Sequence, residues 1–362
     1  MKQLGISIYP EHSSAEQDRA YIRQAHGYGF RRIFTCLLSA EGNKERVMDR
    51  FRETVQFARE LDMQVLVDVA PRVFDQLGIS YQDLSFFRDL GVCGIRLDIG
   101  FTGHEEAMMT HNPYDLKIEI NMSGGPKGME NILSFKPNRD RLIGSHNFYP
   151  HRYTGLSYDH FIRCSRSFKE EGLRTAAFIN SQAATFGPWP VTEGLCTLEI
   201  HRELPSVTQA KHLFATGLID DVMIANAYAS EEELKALSEI DPGMLTFQVE
   251  LEEATTDLER KIILEEPHFN RGDVSDYVVR STQSRVKYKD EAFPPHDTRE
   301  IRPGDILIDN QAYGQYKGEL QIARKAMKNE GKTNVVGRMI EEERFLLQLL
   351  EPWEPFRFAL KK

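Results

Sequence analysis

Hydrophobic and polar positions follow two alternating rhythms over the first two thirds of the chain. Short runs rich in branched and aromatic residues fall at Leu4–Tyr9, Arg32–Leu38, Gln64–Val69, Gly94–Ile99, Leu116–Asn121, Leu142–Asn147, Thr175–Asn180 and Asp221–Asn226. Between most of them apolar residues recur at helical spacing, as in Ser14–Tyr28, Lys44–Leu61, Tyr81–Leu90, Tyr158–Glu171 and Ser206–Thr216. The first rhythm predicts strands and the second amphipathic helices. Strands alternating with helices form parallel βα units, and at this strand count they close into a (β/α)8 TIM barrel. A doubly wound open sheet would alternate too, but no GxGxxG follows the first strand.

The pattern changes after Ser230-Glu231-Glu232-Glu233-Leu234. Asp241-Pro242-Gly243 reads as a turn or linker. Beyond it, Thr246–Leu251, Asp276–Arg280, Asp305–Ile308 and Glu319–Ala323 alternate apolar and polar residues, punctuated by Arg271-Gly272-Asp273 and Arg302-Pro303-Gly304-Asp305. This predicts a small antiparallel β-barrel or sandwich. The expected organisation is a barrel domain over 1–240 and a β domain over 241–362. The length agrees, since 362 residues exceed the roughly 250 of one barrel.

Side chains alternate along a strand, so parity separates the helix-facing side from the barrel interior. Val65, Val67 and Val69 suit the helix layer, which turns Leu66 and Asp68 inward. By the same rule Ile95, Leu97 and Ile99 face out, leaving Arg96 and Asp98 inside, and Leu116, Ile118 and Ile120 leave Lys117, Glu119 and Asn121 inside. The first strand contributes Ser7 and Tyr9. Three neighbouring strands thus bring Asp68, Asp98 and Glu119 to the inner surface near their C-terminal ends, where barrel enzymes carry their chemistry. At a strand spacing of about 4.8 Å such carboxylates perturb one another's protonation. The bland alternative is an internal ion-pair layer, but Arg96 and Lys117 alone cannot neutralise three acids.

The bulk numbers narrow the partners. A net charge of −10 disfavours nucleic acid or an anionic membrane surface, either of which needs a basic face. No run reaches the roughly 18 apolar residues of a membrane span. The start, Met1-Lys2-Gln3-Leu4-Gly5, has no apolar signal core. Cys36, Cys93, Cys164 and Cys196 form no CxxC pair and read as buried, reduced thiols. The cytoplasm is the expected compartment, and a homo-oligomer is compatible with these features. No cofactor motif is present, and no metal is expected: HExxH is absent, and His104 and His111 lack matched ligands.

The loops suggest a sugar. The sixth strand runs into Ser145-His146-Asn147-Phe148-Tyr149-Pro150-His151-Arg152, where hydrogen-bonding and aromatic groups are dense. Gly187-Pro188-Trp189-Pro190-Val191-Thr192-Glu193-Gly194, after the seventh, reads as a rigid aromatic loop at the mouth. The helix after strand eight opens with Ser230 and three glutamates, a capping box that would repel a phosphate at that terminus. Any phosphate should therefore fall to Arg152, Arg202 or, from the C-terminal domain, Arg280.

With these residues in view, the chain resembles the bacterial MupG-like 6-phospho-N-acetylmuramidase family. The resemblance rests on Gly5-Ile6-Ser7-Ile8-Tyr9-Pro10, Asp68-Val69-Ala70-Pro71, Arg96-Leu97-Asp98, Lys117-Ile118-Glu119-Ile120-Asn121, His146-Asn147-Phe148-Tyr149-Pro150 and Glu193-Gly194-Leu195 through His201-Arg202. It spans nearly the whole chain, with Cys196 standing where proline is expected. It implies a TIM barrel followed by a cyclophilin-like β domain. It also implies hydrolysis of N-acetylmuramic acid 6-phosphate linked to N-acetylglucosamine during cell-wall recycling.

Glycosidases commonly flank the scissile bond with two carboxyl groups. Parity nominates Asp68 and Glu119 as the pair, with Asp98 tuning them or positioning substrate. Ser7, Tyr9, Asn121, His146, Asn147, Tyr149, Arg152, Glu193, Arg202 and Arg280 are the expected substrate contacts. Two rivals remain. One is an aldolase or epimerase using Lys117, or a metal on Asp98, Glu119 and His146; the other is a non-catalytic muropeptide-binding protein.

Overall fold

The computed structural model describes residues 2–37, 44–191 and 193–361, with backbone alone for 44–47. Leu38, at the end of the second predicted strand, and Thr192, in the proline-rich loop, lie outside the described residues. The chain divides into two compact units, Met1–Ile240 and Asp241–Lys362.

In the first unit the eight predicted strands form one closed parallel barrel in chain order. They are β1 (Gln3–Ser7), β2 (Arg32–Leu37), β3 (Gln64–Val69), β4 (Gly94–Leu97), β5 (Lys117–Asn121), β6 (Leu142–Ser145), β7 (Arg174–Ile179) and β8 (Asp221–Ile224). Closure is made by β1 against β8, pairing Gly5 with Met223. A Cβ on Gly5 would lie 2.3 Å from the Met223 sulfur, so glycine leaves room for that side chain inside the barrel. Register aligns Cys36 with Asp68, Asp68 with Arg96, and Arg96 with Glu119.

The outward valines and isoleucines of β3, β4 and β5 are buried in the layer between sheet and helices, as alternation requires. Two outer positions depart from parity because the strands are shorter than the apolar runs. Strand β4 ends at Leu97, so Asp98 sits just past it and Ile99, expected against the helices, is 66% exposed. Lys117, expected inside, begins β5 and turns its ammonium to the Asp140 carbonyl, 3.0 Å away.

The barrel interior has two halves. Phe34, Cys36, Phe178, Met223 and Ala225 form an apolar cluster with Tyr9 and Leu195. The other half, from β3 to β6, carries Asp68, Arg96, Glu119 and Ser145. Arg96 marks the boundary, with its guanidinium carbon 5.9 Å from the centre of the Phe34 ring.

The second unit holds β9 (Leu245–Leu251), β10 (His268–Phe269), β11 (Val278–Ser281), β12 (Asp305–Asp309), β13 (Leu320–Ala323), β14 (Thr333–Met339) and β15 (Pro355–Leu360). They make a seven-stranded sheet in the order β10-β15-β9-β14-β12-β13-β11. All pairings are antiparallel except β15 with β9. The amide of Arg271 donates to the carbonyl of Arg280 at 2.9 Å, and His268 meets the Ser281 hydroxyl at 3.1 Å, so the sheet's two ends nearly close a barrel. On this sheet Arg280 and Arg285 each donate to the buried Glu319 carboxylate at 2.7 Å. Next to that trio, Asp309 accepts from Thr333 and Gln321, both at 2.9 Å.

Candidate active site

Arg96 organises the charged half of the barrel mouth. It is 3% exposed, and its guanidinium donates to Asp68 at 2.9 Å, to the Ser145 hydroxyl at 2.8 Å and to the Asn147 side-chain oxygen. Asp98 lies 3.6 Å from it on the solvent side. One cation thus touches Asp68 and Asp98, which the β3 and β4 strand ends bring to the same opening, and its Nε also lies 3.8 Å from the buried Glu119 carboxylate below.

The two acids differ in surroundings. The Asp68 side chain is 13% exposed and the Asp98 side chain 44%. Burial pushes the Asp68 carboxyl above the usual range, with the charge of Asp98 adding to the rise, while Arg96 pulls it down without cancelling the effect. Asp98 is held by the Asn121 amide at 3.3 Å, and Asn121 in turn accepts from the Ser123 backbone at 2.8 Å. Tyr149 is half-buried nearby, and burial pushes its phenol up.

Glu119 occupies a different level. It is fully buried and ion-paired to Arg32. Arg32 also binds Asp221 at 2.6 Å, and Arg174 binds Asp221 from the other side. These residues begin β2, β7 and β8, so they floor the barrel, and Glu119 closes onto them from above. The ion-pair layer weighed as the bland alternative therefore exists for Glu119, with Arg32 as its cation rather than Lys117. The Lys117 ammonium is committed to the Asp140 carbonyl, away from Asp68 and Asp98, so Lys117 offers them no amine for a Schiff base.

Several expected contacts sit elsewhere. His146 is a correction: it is fully buried, with its ring nitrogens 3.2 Å from the Ser123 hydroxyl and 2.9 Å from Ser165. The ring packs on Phe161, and burial lowers its pKa to about 3. Its parity is opposite to that of Ser145 and Asn147, so it braces β6 from the helix side. Ser7 and Tyr9 do point inward, but Ser7 is buried and Tyr9 donates its hydroxyl to the Ala225 carbonyl within the aromatic cluster.

The three expected phosphate-binding arginines are all paired. Arg202 is 4% exposed and clamps the loops after β6 and β7. It donates to the carbonyls of Tyr149, Glu193 and Gly194 at 3.0–3.1 Å and to Glu199 at 2.7 Å. Glu199 completes the clamp by accepting from the amides of Tyr153 and Gly155 at 2.9 and 2.8 Å, and its carboxyl is lowered to about 2, chiefly by Arg202. Arg280 is spent on Glu319 in the second unit. Arg152 is the accessible one: it is exposed, its partner Glu203 is 70% exposed, and its backbone is tied to Glu193 at 3.0 Å. Trp189 and Tyr153 stand exposed on the same two loops.

Alternation applied to β2 and β8 would have found Arg32 and Asp221, which share parity with Phe34 and Met223. Among the described residues no group of three or more His, Cys, Asp or Glu is arranged to hold a metal ion, and no helix is long and apolar enough to cross a membrane.

Comparison with known proteins agrees across the whole chain. Residues 4–239 match the model of the 6-phospho-N-acetylmuramidase N-terminal region, and residues 245–359 match that of its C-terminal region. A solved structure of an uncharacterized B. cereus protein is 51% identical with a TM-score of 0.93, the match covering 99% of each chain. A conserved protein of unknown function from Enterococcus faecalis is 26% identical with a TM-score of 0.75, covering 99% of this chain and 96% of that one. No curated protein matches. With both regions matched in order, the chain belongs to the 6-phospho-N-acetylmuramidase family of glycosidases.

Proposed function

We propose that this chain hydrolyses the bond between N-acetylmuramic acid 6-phosphate and N-acetylglucosamine, in the cytoplasm, as a step of cell-wall recycling. Family membership supports the reaction. The observation that carries the residue roles is the pair of unequal carboxylates around Arg96.

Glycosidic cleavage needs one carboxyl group that holds a proton and one that does not. Asp68, sheltered and raised in pKa, suits the general acid that protonates the departing oxygen. Asp98, more exposed and oriented by Asn121, suits the second role, as nucleophile or as base for water. Glu119 suits a counter-ion to Arg32 better than a reacting group, because substrate would have to displace a buried salt bridge to reach it. The phosphate falls to Arg152, whose pairing with Glu203 is exposed and therefore weak. A phosphate dianion offers that guanidinium a stronger bidentate partner. A phosphorylated substrate also suits a cytoplasmic enzyme, the phosphate being added during or after uptake.

The direct test incubates the enzyme with phosphorylated and unphosphorylated disaccharide and identifies products by mass spectrometry. Cleavage confined largely to the phosphorylated sugar is expected. A kcat/KM ratio near one would remove the phosphate from the proposal, and cleavage of neither sugar would remove the reaction.

A further inference from the structure

Beside Asp98 a cavity of about 340 Å³ opens between the loops that follow β4 and β5. That volume lies within the range of small-molecule sites, about 300–1,000 Å³. Leu97, Phe101, Ile120, Met129 and Ile132 give it an apolar wall, and Asp98, Asn121 and Asn131 supply polar groups.

Glycine makes the space. A Cβ added at Gly124, Gly125 or Gly128 would meet nothing within 4 Å, and all three line the cavity. Gly128 lies in the helix Lys127–Ser134, three and four residues before Asn131 and Ile132. It therefore shares their face of the helix, and a side chain there would grow into the cavity.

Charge identifies the occupant. No lysine or arginine lines the cavity among the described residues, whereas two carboxylates, Asp98 and Glu106, do. Glu106 stays in place by accepting from the amides of Phe101 and Gly103 at 2.5 and 2.8 Å. A sugar bearing a phosphate and a lactyl carboxylate would bring its charges against these acids with no cation in the lining to receive them, the nearby Arg96 being already shared between Asp68 and Asp98. An uncharged N-acetylhexosamine meets no such penalty. Its methyl and ring faces suit the apolar wall, and its hydroxyl and acetamido groups suit the asparagines and Asp98.

We propose that this cavity receives the N-acetylglucosamine ring, on the leaving-group side of the scissile bond, while the phosphorylated ring lies outside it. The assignment rests on the reaction proposed above. It accounts for Asp98 belonging both to the cavity wall and to the carboxylate pair.

The test is Gly128→Leu in the full-length chain. Leucine favours a helix more than glycine does, so the thermal midpoint should hold or rise while the cavity fills. Free N-acetylglucosamine and free N-acetylmuramic acid 6-phosphate are each titrated into wild type and variant. Affinity for N-acetylglucosamine should fall by at least about tenfold, equal to about 1.4 kcal/mol, and affinity for the phosphorylated sugar should hold. The proposal is overturned if wild type does not bind N-acetylglucosamine, if the variant binds it unchanged, or if both sugars weaken alike. Because binding is read without turnover, a wild type that binds as expected yet cleaves nothing would instead overturn the proposed reaction.

Discussion

Glu119 and Asp98 are both acids of the same barrel, and substituting each by its amide should give opposite phenotypes. Glu119→Gln keeps shape but removes a charge that is fully buried against Arg32. Breaking a buried pair costs about 3–5 kcal/mol, because the surviving ion is left without its partner. Arg32 retains Asp221 at 2.6 Å, which points to the lower end, about 3 kcal/mol. In a unit of the size of Met1–Ile240 each kcal/mol moves the midpoint by about 2–4 °C, so a fall of roughly 6–12 °C is expected. Below that midpoint the enzyme should keep activity within about tenfold, or 1.4 kcal/mol of barrier. Asp98→Asn removes a 44%-exposed charge 3.6 Å from Arg96, worth about 0–1 kcal/mol of stability. It should melt near wild type yet lose about a thousandfold or more in kcat, equivalent to about 4 kcal/mol. Differential scanning calorimetry and steady-state rates on the phosphorylated disaccharide read both quantities. If Glu119→Gln melts like wild type and is inactive while Asp98→Asn stays active, Glu119 is the partner of Asp68 and the division of the barrel into mouth and floor is wrong.

The barrel was legible because its strands are apolar on one parity throughout, and eight such runs admit few other closures. The inward set was legible for the same reason, and Asp68, Arg96 and Glu119 all lie on the interior side. Depth was not legible. Alternation says which way a side chain points but not how far along the barrel axis it sits, and Glu119 reads the same whether it meets substrate or Arg32. Only the register, with Arg32 rising from the start of β2, separates the two. His146 failed differently, because a dense polar loop outweighed a parity that already turned it toward Phe161. In the second unit the predicted strands do not include β10, β14 or β15, although Phe356, Phe358 and Leu360 alternate clearly. Arg202 stands out in the sequence as a candidate anion ligand, but only the folded loops reveal that its donors are spent on carbonyls and Glu199.

Arg152→Met should raise KM for the phosphorylated disaccharide about tenfold or more, the worth of one charge-assisted contact at about 1.5–3 kcal/mol, and leave the rate on the neutral sugar unchanged; equal effects on both sugars would clear Arg152 of the phosphate. Arg202→Met should instead lower the thermal midpoint, since the Tyr149, Glu193 and Gly194 carbonyls and Glu199 lose their donor, and a variant as stable as wild type would refute the clamp. The last prediction concerns Asp309, whose carboxyl is raised to about 7 by burial and by Glu319 against the pull of Thr333 and Arg280. The folded chain holds a proton there that the unfolded chain releases near its ordinary value of about 4. Stability from this group is therefore complete below about pH 4 and lost as pH rises through about 7, at up to about 1.4 kcal/mol per pH unit inside that window. Asp309→Asn cannot ionise, so urea melts at intervals between pH 5 and pH 8 should show a shallower decline for the variant than for wild type. Parallel declines would mean that the Asp309 carboxyl does not titrate in this range, and that the half-buried Arg280 and Arg285 around the buried Glu319 offset the effect of burial on it.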